Sequence, residues 1–150
     1  MSRQLLYTRL LMAACVGVIL FSIGMVFLPQ LSQPFFNWLI FQNTINPFPD
    51  DANQYIRFAF MVMGAVMIGW MVALLAIIAI PFRRGERWAW WTVALSMVIW
   101  FVVDTSMSLG LGYAPNAALN TVFLGVFVVP LGLSYGSTKA ALSPRLKNES

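Results

Sequence analysis

The chain has 150 residues and a net charge of +4, and 60% of its residues are hydrophobic while 9% are charged. Soluble domains carry about 25% charged residues, and disordered chains combine low hydrophobicity with high net charge, so the composition excludes both an ordinary soluble enzyme and a disordered chain. A mean hydropathy of +0.79 indicates an integral membrane protein, and the length fits one domain over residues 1–150.

Four segments are apolar and long enough to cross a bilayer as helices of roughly 20 residues. They cover about residues 10–28, 56–80, 88–109 and 117–135. The first begins like a secretory signal peptide, but its apolar run exceeds the usual length of about 7–15 residues, which favours an uncleaved span. Short connections between the later spans predict antiparallel neighbours. We therefore expect an all-α membrane protein, an antiparallel four-helix transmembrane bundle.

The first outer loop, residues 29–55, is longer than most helix connections. Its apolar centre is too short to span a membrane and predicts a short interfacial helix with Pro34 in its first turn. One face of that helix would carry Phe35, Trp38, Leu39 and Gln42. The loop is either a cap over the bundle or a lid or partner-docking surface.

The basic residues are distributed unequally between the two sides of the predicted bundle. Eight flank the spans on one side, namely Arg3, Arg9, Arg83, Arg84, Arg87, Lys139, Arg145 and Lys147. Arg57 alone lies on the other side. Because basic loops stay in the cytoplasm, we expect a multi-pass protein of the cell (inner) membrane with both termini cytoplasmic. Membrane topology explains the net charge, so no nucleic-acid partner is expected.

The loop between the second and third spans contains Arg83, Arg84 and Arg87. These arginines can hold anionic lipid headgroups and so anchor the topology. Alternatively, they form a docking patch for a cytoplasmic partner.

Two series at spacing four mark the second span. The first series consists of the methionines Met63, Met67 and Met71. Their thioethers could bind Cu(I), or the side chains could serve as flexible packing residues.

The second series consists of the small residues Ala65, Gly69 and Ala73. Small residues at this spacing allow a close approach of two helices, within the chain or between subunits.

Asp104 is the one clear charged residue within a span, and such residues are costly and usually functional. It lies 16 residues after Trp88, hence about 24 Å above the inner end of the third span, in the outer leaflet. The third span also presents a polar ridge at spacing four, which should face the bundle interior and reads Trp88, Thr92, Ser96, Trp100, Asp104, Ser108.

Other polar groups are expected near Asp104, and two interpretations follow. The candidate ligand-binding residues are Asp104, Arg57, Asn116, Asn120, Ser108 and Tyr113. In the structural interpretation, Asp104 pairs with Arg57 or caps the fourth span, whose N-cap would be Asn116. In the functional one, these residues form a pocket for a cation, a proton or a small polar ligand.

The missing residue types exclude several kinds of catalysis. The chain has no histidine and one cysteine, Cys15, which is expected to be a small buried hydrophobe. Zinc hydrolases and Ser-His-Asp hydrolases need histidine, and thiol oxidoreductases need paired cysteines. We therefore predict no metal site, no cofactor and no enzymatic activity.

The segment Arg83–Trp90 carries the pattern Arg-x-Gly-Glu-Arg-Trp-Ala-Trp, followed by Asp104 and Asn120. In this it resembles small bacterial four-transmembrane-helix proteins that carry the same cassette between helices two and three. The resemblance covers about the second half of the chain. It implies a bacterial four-span protein of no established activity and adds no mechanism.

Three functions follow from these expectations. The first is a non-enzymatic accessory or scaffold role in a membrane assembly, because no catalytic constellation is present. The second is binding or transport of a small ligand or ion in the outer-leaflet pocket around Asp104, and the third is a lipid-modifying enzyme. Membrane lipids are expected partners, and a homo-oligomer or a larger membrane complex stays open.

Overall fold

The computed structural model describes residues 3–42 and 48–140, with only the backbone described for 137–140. Within this part the chain forms five helices, namely α1 (Arg3–Phe27), α2 (Pro29–Phe41), α3 (Asp50–Ile77), α4 (Arg87–Gly110) and α5 (Ala114–Ala140). All except α2 are long and apolar enough to cross a membrane. The expected all-α bundle with four apolar spans is confirmed.

The long helices extend beyond the predicted spans. For example, α1 begins at Arg3 and α3 at Asp50, since helical hydrogen bonding does not stop where hydropathy falls. Asp50 and Asp51 lie in the first turn of α3, where the positive end of the helix dipole favours carboxylates.

The predicted outer loop is largely helical. Pro29 is the first residue of α2, where its fixed φ angle suits a helix start and its missing N–H has no cost. Pro34 therefore lies inside this helix and not in the first turn, which corrects the expectation. The turn-rich residues 43–47 lie outside the described part of the chain.

The polar side of α2 points into the protein. Gln33 and Asn37, at spacing four, are buried, whereas Phe35 and Trp38 are exposed. This inverted arrangement is possible because Gln33 finds a polar partner on α3, as described below. The helix ends at Phe41, and its C-cap Gln42 has a left-handed φ of 53°.

The long helices form an incomplete ring. α1 packs along both α3 and α5, and α5 packs along α4, but α3 and α4 contact each other little. They are joined by a π-helical turn, Ile78–Phe82, and the short link that follows it. Pro81 cannot donate a backbone hydrogen bond and its ring crowds the preceding turn, which explains the wider helix there.

The two ends of the bundle differ. We call the end with the start of α1 and the α3–α4 turn the basic end, and the opposite one the far end. At the basic end, Gln4 Nε2 donates to the Phe82 carbonyl oxygen (3.0 Å). Glycine allows a tight connection at each end of α4. Gly85, between α3 and α4, and Gly112, between α4 and α5, have φ angles of 80° and 81°, which other residues rarely adopt.

The basic half of the bundle has a packed core. Its buried apolar residues include Leu11, Cys15, Leu74, Ile78, Phe82, Ala89, Val93 and Leu131. Towards the far end, α1 and α3 meet at Gly64, where an added Cβ would lie 2.8 Å from the Ser22 carbonyl oxygen. The predicted small-residue series is instead exposed: Ala65, Gly69 and Ala73 do not make this contact.

Candidate ligand-binding cavity

The far half of the bundle encloses a cavity of about 610 Å³. All five helices contribute to its wall, from Met71 and Phe127 at mid-height to Asp104 and Asn116 at the far end. The distance from Asn116 to Phe127 along α5 is about 16 Å. The volume lies within the range of about 300–1,000 Å³ that is usual for small-molecule sites.

The walls are mostly apolar and have two kinds of side chain. Thioethers come from Met25, Met63, Met67, Met71 and Met97. Aromatic rings come mainly from Phe21, Phe36, Phe60, Trp70, Trp100 and Phe123. Methionine adapts its shape to different apolar partners, so this lining suits a hydrophobic molecule.

The predicted methionine series thus lines the cavity. No group of three or more His, Cys, Asp or Glu residues that could hold a metal ion occurs in the described part of the chain. All three side chains of the series belong to the same mostly apolar wall.

Asp104 marks the polar end of the cavity and belongs to a small hydrogen-bonded cluster. Its Oδ1 accepts bonds from Asn116 Nδ2 (3.2 Å) and from Ser108 Oγ (3.2 Å), whose hydroxyl it shares with the Asp104 carbonyl oxygen (2.8 Å). Asn116 Nδ2 also contacts Ser108 Oγ at 2.8 Å. The structure therefore brings together three of the predicted site residues from α4 and α5.

Asn116 lies within the first turn of α5, not at its N-cap, because the helix begins at Ala114. Its side chain is consequently directed across to α4. One turn further, buried Asn120 lines the cavity and donates from Nδ2 to Thr105 Oγ1 (3.3 Å). Two amide side chains on one face of α5 thus hold the polar part of α4.

Arg57 does not form the expected ion pair with Asp104 among the described residues. Its Nε donates to Gln33 Oε1 on α2 (3.3 Å). Gln33 Nε2 donates in turn to Asn53 Oδ1, and Asn53 Nδ2 donates to the Phe48 carbonyl oxygen (2.9 Å). We call Gln33, Asn53 and Arg57 the α2–α3 network.

The helix α2 covers the cavity near its polar end. Phe36 and Ile40 line the cavity from this helix. The Phe36 ring stacks on Phe60 of α3, with centroids 4.9 Å apart and an interplanar angle of 18°. Tyr113, another predicted site residue, lines the cavity and meets Phe41 edge-on (6.4 Å).

The cavity is only partly enclosed. Two of its lining residues on α3, Met63 and Val66, are exposed. Trp70 connects α3 and α4 at mid-height, since its Nε1 donates to Ser96 Oγ (2.8 Å) and its ring lies 6.2 Å from that of Trp100.

The predicted polar ridge on α4 faces inward only in part. Trp88 and Thr92 are exposed, and Thr92 Oγ1 donates to the Trp88 carbonyl oxygen (2.9 Å). Further along, Ser96 bonds to Trp70 of α3, Trp100 and Asp104 line the cavity, and Ser108 contacts α5. The reason is that spacing four drifts slowly around a helix, so six such residues cannot share one direction.

The arginines of the basic end are separate from the cavity. Arg83, Arg84 and Arg87 are exposed. Glu86 Oε2 accepts a hydrogen bond from Trp88 Nε1 (2.6 Å).

Sequence reasoning missed Gln33, Asn53 and Trp70. A signal was present for the first two, since Gln33 and Asn37 lie at spacing four within an apolar stretch, as do Asn53 and Arg57 at the start of the second span.

No protein-family model matches the chain, and no curated protein or solved structure does so either.

Proposed function

We propose that this small multi-pass membrane protein binds a small molecule with an apolar body and a polar head. The observation that carries the proposal is the cavity, which is walled by methionine and aromatic side chains and ends in the Asp104 cluster. Concave, mostly apolar sites with a few convergent polar groups are typical of small-molecule binding.

The exposed part of the cavity wall supports uptake of the ligand from the membrane. Met63 and Val66 line the cavity and are themselves exposed, so lipid would cover them. A ligand that partitions into the bilayer could enter there without crossing water.

The accessory role, in contrast, requires a surface that binds a partner protein. The exposed apolar faces of the helices do not favour such a partner, because lipid contact explains them equally well.

We also propose that both termini lie in the cytoplasm and that the membrane is the cell (inner) membrane. The support is the excess of Lys and Arg at the basic end, following the positive-inside tendency. With this orientation, the Asp104 cluster lies near the outer surface.

Photolabelling with trifluoromethyl-phenyldiazirine, a neutral apolar photoprobe, tests the binding function on the full chain in nanodiscs. We expect saturable labelling of the cavity residues Trp100 and Phe123. The substitution Met67→Trp should weaken it, because Met67 lies on the cavity wall and the larger indole narrows the space.

The matched control is Met107→Trp, at a position 61% exposed on α4 and outside the cavity lining. It should leave the saturable labelling unchanged. Labelling that rises in proportion to probe concentration at every exposed side chain, without saturation at Trp100, would contradict the proposed function.

A further inference from the structure

The polar end of the cavity has a negative group with neutral partners. Both hydrogen bonds to the Asp104 carboxylate end on Oδ1 and come from an amide and a hydroxyl. In the part of the chain that the structure describes, no donor contacts Oδ2. Asp104 is half-buried and lines the cavity, so this oxygen can interact with a ligand.

Among the described residues, the one arginine near the far end is engaged elsewhere. Arg57 donates to Gln33 on α2, and the other arginines that the structure describes lie at the basic end. A negative group in a largely apolar site is costly without a positive partner, and the described side chains do not supply one.

Aromatic rings next to Asp104 favour the same kind of ligand. Trp100 lies one turn before Asp104 on α4, and both line the cavity. Cations are attracted to the face of an indole ring, with the strongest effect where water is excluded. A carboxylate and a tryptophan on one face therefore suit a positive charge surrounded by carbon.

A metal ion fits this site poorly. Hard cations such as Ca²⁺ take about six to eight oxygen ligands, whereas Asp104 is the only carboxylate that the described residues contribute to the cavity wall, which is otherwise mostly hydrocarbon. The volume also exceeds what a single ion occupies. The chemistry points to an organic cation.

We propose that the ligand is an amphiphilic organic cation, an ammonium or phosphonium with apolar substituents, whose charge lies between Asp104 and Trp100. This inference rests on the proposed binding function and adds the charge of the ligand. Three probes of similar shape separate charge from hydrophobicity: tetraphenylphosphonium, tetraphenylborate and neutral triphenylphosphine oxide.

The experiment measures equilibrium binding of each probe to the full-length protein in detergent micelles, after subtraction of binding to empty micelles. We expect tetraphenylphosphonium to bind at least about tenfold more tightly than either of the other two. Asp104→Asn should weaken its binding about tenfold or more, while binding of triphenylphosphine oxide should not change.

Asp51→Asn is the matched control, because Asp51 is an exposed carboxylate in the first turn of α3 outside the cavity wall. It should leave all three affinities unchanged. The comparison of probes on the unaltered protein needs no variant and so stands even if Asp104→Asn fails to fold.

The outcomes distinguish the two proposals. Equal or tighter binding of tetraphenylborate or the phosphine oxide, or unchanged tetraphenylphosphonium binding in a folded Asp104→Asn protein, would overturn the cation inference and leave the binding function intact. Absence of saturable binding by all three probes, together with unsaturable diazirine labelling, would overturn both.

Discussion

Gly64 shows how one side chain can limit the approach of two helices. The nearest atoms to an added Cβ are the Ser22 carbonyl oxygen at 2.8 Å and Val26 Cγ2 at 2.9 Å, both on α1. Gly69, five residues later on the same helix, has nothing within 4 Å of such an atom. The two glycines therefore provide a matched pair.

We expect Gly64→Ala to lower the free energy of unfolding by about 1–3 kcal/mol, because the extra methyl group must displace backbone on α1. Gly69→Ala should be neutral or stabilising by up to about 1 kcal/mol, since alanine favours helix more than glycine. Denaturation by sodium dodecyl sulfate from mixed micelles measures both. Equal effects would show that α1 and α3 do not approach closely at Gly64.

Among the helices, α2 depends most on polar contacts. Its buried face carries Gln33 and Asn37, and Gln33 bonds to both Asn53 and Arg57 of α3. An amide that loses its partner in a buried site costs about 1–3 kcal/mol. The α2–α3 network therefore determines how firmly α2 covers the cavity.

We expect Gln33→Leu to increase hydrogen exchange of the α2 backbone amides at least about tenfold, because Asn53 loses its donor and Arg57 its acceptor. Exchange in α4 and α5 should be unchanged. The control is Gln30→Leu, since Gln30 is exposed on the same helix. If both variants exchange alike, hydrophobic contacts such as Phe36–Phe60 hold α2 instead.

Over the whole molecule, packing differs between the two halves of the bundle. The basic half has a continuous buried core, whereas the far half surrounds about 610 Å³ of space. Two leucines on α5 allow the two halves to be compared. Leu131 lies in the core of the basic half and is 3% exposed, whereas Leu119 lies in the cavity wall of the far half and is half-buried.

We predict that Leu131→Ala lowers the free energy of unfolding by about 2–4 kcal/mol, because it leaves a void in a packed region. Leu119→Ala, the same substitution on the same helix, should cost less than about 1 kcal/mol, since its neighbours already border a cavity. Unfolding by sodium dodecyl sulfate again provides the measurement. A cost at Leu119 as large as that at Leu131 would mean that the far half is packed and not hollow.

The polar cluster was predictable in part. Asp104 and Ser108 lie four residues apart on one helix, and Asn116 follows a short turn, so helix geometry and chain connectivity suffice to place them together. The partner of Arg57 was not predictable, because a long side chain can reach several groups. Gln33 became its acceptor only through the position of α2, which local sequence does not specify.

Apolar length, helix periodicity and the positions of proline and glycine are local properties, and they were enough to predict four long helices, a short one after the first, and a cluster of polar side chains at the far end. Tertiary packing decided the inward direction of the polar face of α2, the partner of Arg57 and the existence of the cavity. These depend on how far apart the helix axes lie, and α3 and α4 contact each other little while α1 packs on α3 and α5 on α4, an arrangement that no single segment of the sequence encodes.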